Sequence, residues 1–235
     1  MEHLVPALVV AILAGLGGFA VPALVSRIPE PVSDPDDTED AKETYARIAS
    51  SPGLAWKAAL AAAVAGGLIG AELGWVWPLV HQVPLVPVGV ALAVIDWRTR
   101  LLPTKVIAPS YALVIVGVLV CFVATRETDD LARAGWGWLV AGGLYWLMWR
   151  IYPRGMGYGD VRLSGVLGIG LGQLGWGPLL VGVYSGFLLG GVIGSVLSML
   201  KVVDRKGYPF GPFMLVGALV GILWGDPVLS SLVTG

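Results

Sequence analysis

The chain has 235 residues, of which 56% are apolar and only 13% are charged, and its mean hydropathy is +0.80. Soluble domains carry roughly 25% charged residues, so this composition excludes a soluble globular protein and predicts an integral membrane protein with one polytopic domain. The net charge of -1 gives no indication of nucleic-acid binding, and a single cysteine, Cys121, excludes both an intrachain disulfide and a thiolate metal cluster.

Uncharged stretches divide the chain into eight predicted transmembrane helices and therefore predict an all-α polytopic membrane protein. The two shortest, at 13 and 14 residues, are well below the ~20 residues that cross the hydrocarbon core, and these two end or begin beside Asp96 and Asp160. The first helix lacks the basic N-terminal region of a signal peptide and is too long for one. The predicted helices are Leu4 to Ser26, Leu54 to Trp75, Val83 to Ile95, Val106 to Thr125, Leu131 to Trp149, Val161 to Leu174, Pro178 to Leu200 and Phe210 to Trp224.

The placement of lysine and arginine predicts the orientation, because cytoplasmic loops carry an excess of positive charge. With the N-terminus outside, the inner loops hold all but two of the 15 Lys and Arg residues, and the outer loops hold only Arg126 and Arg133. We therefore expect an N-out, C-out chain with eight crossings. Two complete spans separate Asp96 from Asp160, so both carboxylates are expected at the same membrane face, which the charge rule makes the cytoplasmic one.

The longest polar stretch, residues 27–53, holds seven of the 16 acidic residues, all between Glu30 and Glu43. Proline and clustered like charge oppose a packed core, so this stretch is predicted to be a solvated, partly disordered cytoplasmic loop without zinc-binding cysteines. The chain is thereby divided into a first transmembrane helix (1–26), the acidic loop (27–53) and a transmembrane core (54–235).

Glycine is abundant, at 34 of the 235 residues, and in three predicted helices it recurs at every fourth position. This spacing aligns the glycines on one face, where a neighbouring backbone can approach closely. The pattern indicates helix packing and suits a transporter, a channel or a membrane enzyme alike. The repeats are Gly66, Gly70 and Gly74; Gly182, Gly186, Gly190 and Gly194; and Gly217, Gly221 and Gly225.

Asp96 and Asp160 are the two acids whose positions need a functional explanation. Asp96 follows an unbroken apolar run and precedes a proline-containing stretch biased away from continuous helix. Asp160 follows Gly157 and Gly159, which permit backbone angles closed to other residues and let another chain come close. Either acid alone is explained well enough as a helix N-cap or an interface anchor.

Two acids at one membrane face change this interpretation. Like charges ~3 Å apart cannot both ionise easily, so one carboxyl group stays protonated as an acid while the other serves as a base. Such a pair can activate water against a peptide carbonyl, and we expect the apolar helix of a substrate to lie against the glycine-rich spans. The alternative is a secondary transporter in which Asp96 and Asp160 form a proton or cation relay. A third interpretation, a scaffold protein, would leave the sequence around Asp160 unexplained.

Several segments also resemble the type IV prepilin peptidases, polytopic aspartic endopeptidases of bacterial membranes. The stretch "GMGYGDVRL" (155–163) resembles their GxGD motif, and "IDWRTRLLPTKV" (95–106) resembles the segment around their first catalytic aspartate. The stretches "GVLGIGLG", "YPFGPFMLVGA" and "GLGGFAVPALVSRIPEP" are similar to other parts of the family, so the resemblance covers most of the chain. A presenilin-like protease shares the GxGD chemistry but fits these further motifs less well.

The resemblance implies that Asp96 and Asp160 are the catalytic residues, with Gly157 and Gly159 shaping the site. It further implies a bacterial plasma (inner) membrane protein that uses no metal or other cofactor, contacts the lipid bilayer and acts on prepilins or pseudopilins. The residues that bind the substrate and the oligomeric state are not indicated.

The sequence departs from the family pattern at two places. Arg162 stands where the family usually has lysine, and because it lies two positions after Asp160 it is expected to point away from that acid and meet lipid headgroups. Many bifunctional members also carry two Cys-x-x-Cys pairs between their first two helices, and this sequence has no cysteine there. The family's second activity, N-methylation from S-adenosylmethionine, is therefore not expected.

Overall fold

The computed structural model describes residues 3–30, 43–153, 156–199 and 209–234, and within these ranges all the regular secondary structure is helical. A π-helical turn, Trp138–Gly142, joins two of the helices without a break. The α-helices are α1 (Leu4–Phe19), α2 (Val21–Ser26), α3 (Tyr45–Ala49), α4 (Leu54–Leu73), α5 (Leu79–Thr99), α6 (Thr104–Thr125), α7 (Thr128–Gly137), α8 (Gly143–Ile151), α9 (Tyr158–Leu174), α10 (Trp176–Met199) and α11 (Gly211–Thr234).

Five helical stretches within the described residues are long and apolar enough to cross a membrane: Leu4–Ser26, which joins α1 and α2, and α4, α5, α6 and α11. A shorter apolar stretch, Trp176–Val192, lies in α10. The prediction of an all-helical, multi-pass membrane protein is confirmed. The count of eight crossings and the N-out, C-out orientation stay predictions.

Helix α5 is longer than its sequence suggests. We predicted a short span over Val83 to Ile95, whereas the helix runs from Leu79 to Thr99 and contains both Pro84 and Pro87. In a helical bundle within a bilayer, neighbouring helices satisfy the backbone groups that an internal proline frees, so the helix continues through these positions. The final helix is also longer than predicted, because α11 continues through Asp226 and Pro227 to Thr234.

The glycine repeats form helix–helix contacts. At Gly217 an added Cβ would lie 2.6 Å from the Cα of Gly186, so α10 and α11 pack backbone to backbone. At Gly70 it would lie 2.6 Å from the carbonyl oxygen of Pro6, which joins α4 to α1 in the same way. The predicted packing role is thus confirmed for these glycines. Because neighbouring helices already cover these glycine faces, a substrate helix that lies against these spans must contact other faces of them.

The segment after α2 contains a folded part. Residues 31–42, the most acidic part of the predicted loop, lie outside the described residues. Glu30 accepts hydrogen bonds from the backbone N–H groups of Tyr45 and Ala46, both at 2.9 Å, and so satisfies donors at the N-terminus of α3. Tyr45 and Ile48 are buried. Residues 43–53 therefore pack on the helical core, in contrast to the solvated loop predicted for the whole of 27–53.

Candidate active site

Asp96 lies in the last turn of α5 and is only 4% exposed. Its Oδ2 accepts a hydrogen bond of 2.9 Å from the backbone N–H of Gly211, at the start of α11. A negative charge near a helix C-terminus is disfavoured by the helix dipole and by the carbonyl groups that lack helical partners there. Asp96 therefore does not serve its own helix as a cap or an anchor, and the group it contacts comes from another helix.

Asp160 lies in the first turn of α9 and is 7% exposed. Its Oδ2 accepts a hydrogen bond of 3.1 Å from the backbone N–H of Gly157, the residue that precedes the helix. This is the carboxylate half of a capping-box arrangement, and it satisfies a backbone donor at the helix start. A capping role for Asp160 is therefore present in the structure. Capping accounts for the position of one carboxylate oxygen and leaves the proximity of a second buried acid unexplained.

The structure brings the two acids together. Leu102 lies in the stretch between α5 and α6 and packs against the residues beside both acids. A Cβ added at Gly159 would lie 2.7 Å from the Leu102 Cβ, and one added at Gly211 would lie 3.4 Å from the Leu102 Cδ2. The pair thus occupies one buried region at the end of α5 and the beginnings of α9 and α11.

The two glycines before Asp160 contribute differently from our expectation. Gly157 has φ -72° and ψ 144°, ordinary extended backbone, and the positive-φ residues of the described chain include neither Gly157 nor Gly159. The unusual backbone angles that the sequence suggested are therefore not found. Gly157 supplies its N–H to Asp160, whereas Gly159 lacks a side chain where Leu102 approaches.

Arg162 connects two helices near the pair. Its guanidinium donates a hydrogen bond to the Oγ1 of Thr104, at the start of α6, and lies 5.4 Å from the ring centroid of Tyr158. Its carbonyl oxygen accepts a hydrogen bond of 2.9 Å from the Tyr111 hydroxyl. Arg162 therefore holds the beginnings of α6 and α9 together. The sequence did not suggest this contact, because we expected Arg162 to meet lipid headgroups.

Sequence reasoning missed two residues at this site. Gly211 falls within a stretch that shows family resemblance, but nothing in the sequence connects it with Asp96. Tyr145 is 2% exposed, stacks on Phe187 with ring centroids 4.5 Å apart, and has its ring centroid 6.1 Å from that of Phe210, the residue before Gly211. Among the described residues, no three His, Cys, Asp or Glu side chains come together as metal ligands.

An apolar groove of about 250 Å³ leads away from the pair between α4, α5, α9 and α11. Its lining includes Ala93, one turn before Asp96, and Pro212, next to Gly211. The lining continues along α5 to Gln82, eleven residues from Ala93, which is about 16 Å of helix. A larger apolar groove of about 590 Å³ lies between α6, α7 and α9 and includes no residue of α5 or α11.

Fold and site together describe a multi-pass, all-helical membrane protein with a buried carboxylate pair. Such a pair is the arrangement that membrane aspartic proteases use. Residues 84–197, which contain both acids, match the model of the type IV leader peptidase family. The resemblance predicted from the sequence is thereby confirmed, and the chain is a relative of the type IV leader peptidases.

Proteins with the name prepilin leader peptidase/N-methyltransferase are similar to the chain. The one from Stutzerimonas stutzeri is 30% identical over 174 residues, which is 73% of this chain and 59% of that relative. The one from Aeromonas hydrophila is 32% identical over 155 residues, or 65% of this chain and 52% of the relative. The one from Escherichia coli (strain K12) is 31% identical over 141 residues, or 56% and 57%.

The chain thus spans little more than half the length of these relatives. No solved structure matches the chain. Because the relatives are bacterial and several helices are long and apolar enough to span a bilayer, the chain is a multi-pass protein of the bacterial plasma (inner) membrane.

Proposed function

We propose that this chain is a membrane aspartic endopeptidase, with Asp96 and Asp160 as its catalytic residues. It removes the N-terminal leader peptide of prepilin-like or pseudopilin substrates. The observation that carries the proposal is the burial of two carboxylates beside Leu102, within the segment that matches the leader peptidases. The names of the relatives support the choice of substrate.

The reaction needs no group beyond the two acids and a water molecule. One carboxylate takes a proton from water as the water oxygen attacks the scissile carbonyl carbon, which forms a tetrahedral intermediate whose former carbonyl oxygen carries the negative charge. The other carboxyl group gives its proton to the amide nitrogen, the C–N bond breaks, and the products are a new carboxyl terminus and a new amine. The scissile bond has to be unwound first, because a helical peptide bond is shielded and already hydrogen-bonded.

The substrate's apolar segment lies in the groove between α4, α5, α9 and α11. That groove begins within one helical turn of Asp96 and has small residues such as Gly89 and Ala93 on its wall. The faces of the glycine repeats are already occupied by helix–helix contacts. The groove therefore continues directly from the carboxylate pair into the apolar part of the bundle.

The distribution of lysine and arginine along the chain supports a reaction at the cytoplasmic face. Eight crossings with both termini outside put nearly all lysines and arginines in inner loops, together with both acids. The region over 54–235 forms the peptidase core in this arrangement, and residues 27–53 form its cytoplasmic loop. The basic leader of the substrate would remain on the side where cleavage occurs.

The experiment that tests the function is cleavage of purified prepilin by the chain reconstituted in lipid. Asp96→Asn and Asp160→Asn should each abolish cleavage without changing insertion or expression, because the acids act as one unit. The double variant should be no worse than either single variant. Cleavage near the parental rate by either single variant would contradict the dyad and favour the proton or cation relay.

The same assay tests methylation. Mass analysis of the new N-terminus after incubation with S-adenosylmethionine should show no added methyl group, because the cysteine pairs associated with that activity are absent between the first two predicted helices. A methylated product made by the pure chain would show that the activity is retained. The amount of cleaved product serves as the control for an active preparation.

A further inference from the structure

Gly211 begins α11 and donates its backbone N–H to Asp96 across 115 positions of sequence. The first N–H groups of a helix have no partners within that helix and need an acceptor elsewhere. Pro212, the next residue, has no N–H group, and the N–H groups of Phe213 and Met214 bond to the carbonyl oxygen of Phe210. The N–H of Gly211 is therefore the donor in this turn that meets the Asp96 carboxylate.

Position 211 leaves no space for a side chain. A Cβ built there would lie 2.8 Å from Oδ2 and 3.4 Å from Cγ of Asp96, and 3.4 Å from the Leu102 Cδ2. The close contact is with the side-chain carboxylate, and no backbone atom is among these three nearest neighbours. An alanine at 211 would thus displace the carboxylate of Asp96 and leave the helix packing around it in place.

We propose that Gly211 is a positioning residue for the Asp96 carboxylate. Its N–H fixes one oxygen, and its missing side chain leaves that oxygen room to sit against the start of α11. The orientation of Asp96 toward Asp160 is then set by a helix that carries neither acid. The kinetic part of this inference rests on the proposed peptidase function, whereas the contact itself does not.

Helix electrostatics favour the same arrangement. Asp96 lies near the C-terminus of α5, which repels a negative charge, and at the N-terminus of α11, which attracts one. The hydrogen bond also has a charged acceptor, a type of bond that is shorter and stronger than one between neutral groups. Among the contacts of the described residues, the Gly211 N–H is the hydrogen-bond donor to the Asp96 side chain.

The test compares Gly211→Ala with Gly143→Ala in the full chain in lipid. Gly143 is the matched control, because a Cβ there would meet nothing within 4 Å. For Gly211→Ala we expect kcat for prepilin cleavage to fall about ten- to hundredfold with KM unchanged, since a small misplacement of a catalytic group has effects of this size. A second variant replaces residue 211 with glycolic acid, which exchanges the N–H for an oxygen and adds no Cβ; the same fall in kcat is expected.

A spectroscopic measurement separates the contact from the activity. With aspartate labelled at the carboxyl carbon, the infrared difference between the parent and Asp96→Asn identifies the Asp96 band. That band should shift in both variants at position 211 and stay in place in Gly143→Ala. If Asp96→Asn still cleaves prepilin, the peptidase proposal fails while a shifted band still supports the contact. An unshifted band, parental kcat in both variants at 211, or an equal loss in Gly143→Ala would overturn the inference.

Discussion

The two glycines that precede Asp160 look equivalent in sequence, but in the structure they make different contacts. Gly157 contributes a backbone N–H, and a Cβ there would lie 3.4 Å from the Oδ2 of Asp160, an ordinary contact distance. Gly159 is in contact with Leu102, and a Cβ there would lie 2.7 Å from the Leu102 Cβ. The backbone cannot relieve this overlap cheaply, because both atoms are attached directly to main chain. The requirement for glycine is therefore steric at 159 and much weaker at 157.

We predict that Gly159→Ala loses far more cleavage activity than Gly157→Ala. Because the overlap involves the Leu102 Cβ, Leu102→Gly should restore part of the loss when combined with Gly159→Ala. The coupling in this double-mutant cycle should lie within about 0.5–3 kcal/mol, the usual range for residues in contact. Rates of prepilin cleavage for the parent, the two single variants and the double variant measure it. Equal losses at 157 and 159, or strictly additive effects of Gly159→Ala and Leu102→Gly, would contradict the steric explanation.

At the scale of the helices, the groove between α4, α5, α9 and α11 is the apolar surface that leads to the carboxylate pair. Val86 lies on its wall and is half-buried, about 15 Å along α5 from Asp96. A residue at this distance can affect the binding of a substrate helix without touching the reacting groups. Ile115 lines the other large groove, between α6, α7 and α9, and is a comparable apolar position away from the carboxylate pair.

We predict that Val86→Trp raises KM for prepilin by about tenfold, equivalent to about 1.4 kcal/mol, and leaves kcat unchanged. The larger side chain fills space that the substrate's apolar segment would use. Ile115→Trp is the control and should leave both constants near the parental values. Melting temperatures in lipid show whether either variant is destabilised. An unchanged KM in a stable Val86→Trp variant would mean that the groove holds lipid rather than substrate.

Some features of the helices follow from the local sequence, and others depend on packing between helices. Apolar runs and the proline at 103 predicted the helices and the break between α5 and α6. The continuation of α5 through Pro84 and Pro87 could not be predicted, because neighbouring helices decide whether the freed backbone groups are satisfied. The two complete spans predicted between Asp96 and Asp160 indicated that the two acids share a face. The backbone donor to Asp160 is local, three residues before it, whereas the donor to Asp96 is 115 residues away and depends on tertiary packing.

At the scale of the whole molecule, the segment after α2 contacts folded residues on both sides of residues 31–42, which the structure does not describe. Glu30 bonds to the start of α3, and Glu43 forms an ion pair of 2.8 Å with Arg98, two residues after Asp96. Ile48 is fully buried. Residues 43–53 therefore contribute to the support around the end of α5, whereas the acidic residues between the two glutamates lie outside the described residues.

We predict that a Gly/Ser linker of equal length in place of Val32 to Lys42 leaves cleavage largely intact. The replaced stretch excludes Glu30, Glu43 and the packed residues of α3, so the contacts with the core remain. As the comparison, Ile48→Asp should lower the melting temperature, because it places an unpaired charge at a buried apolar position. Prepilin cleavage and thermal unfolding in lipid measure the two effects. Complete loss of activity in a normally inserted linker variant would show that the acidic stretch belongs to the site.

The hydrogen bond from Gly211 to Asp96 has a consequence for how the protein can be divided. The segment that matches the family ends at residue 197, yet α11 begins at Gly211 and holds one carboxylate of the pair. A fragment cut at the end of the family match would keep both acids and lose the group that orients one of them. It would also lose the partner against which α10 packs its glycine face. The smallest unit that holds both acids in this arrangement therefore extends beyond the family match, and two pieces split between residues 199 and 209 would regain it only by reassociating in the bilayer.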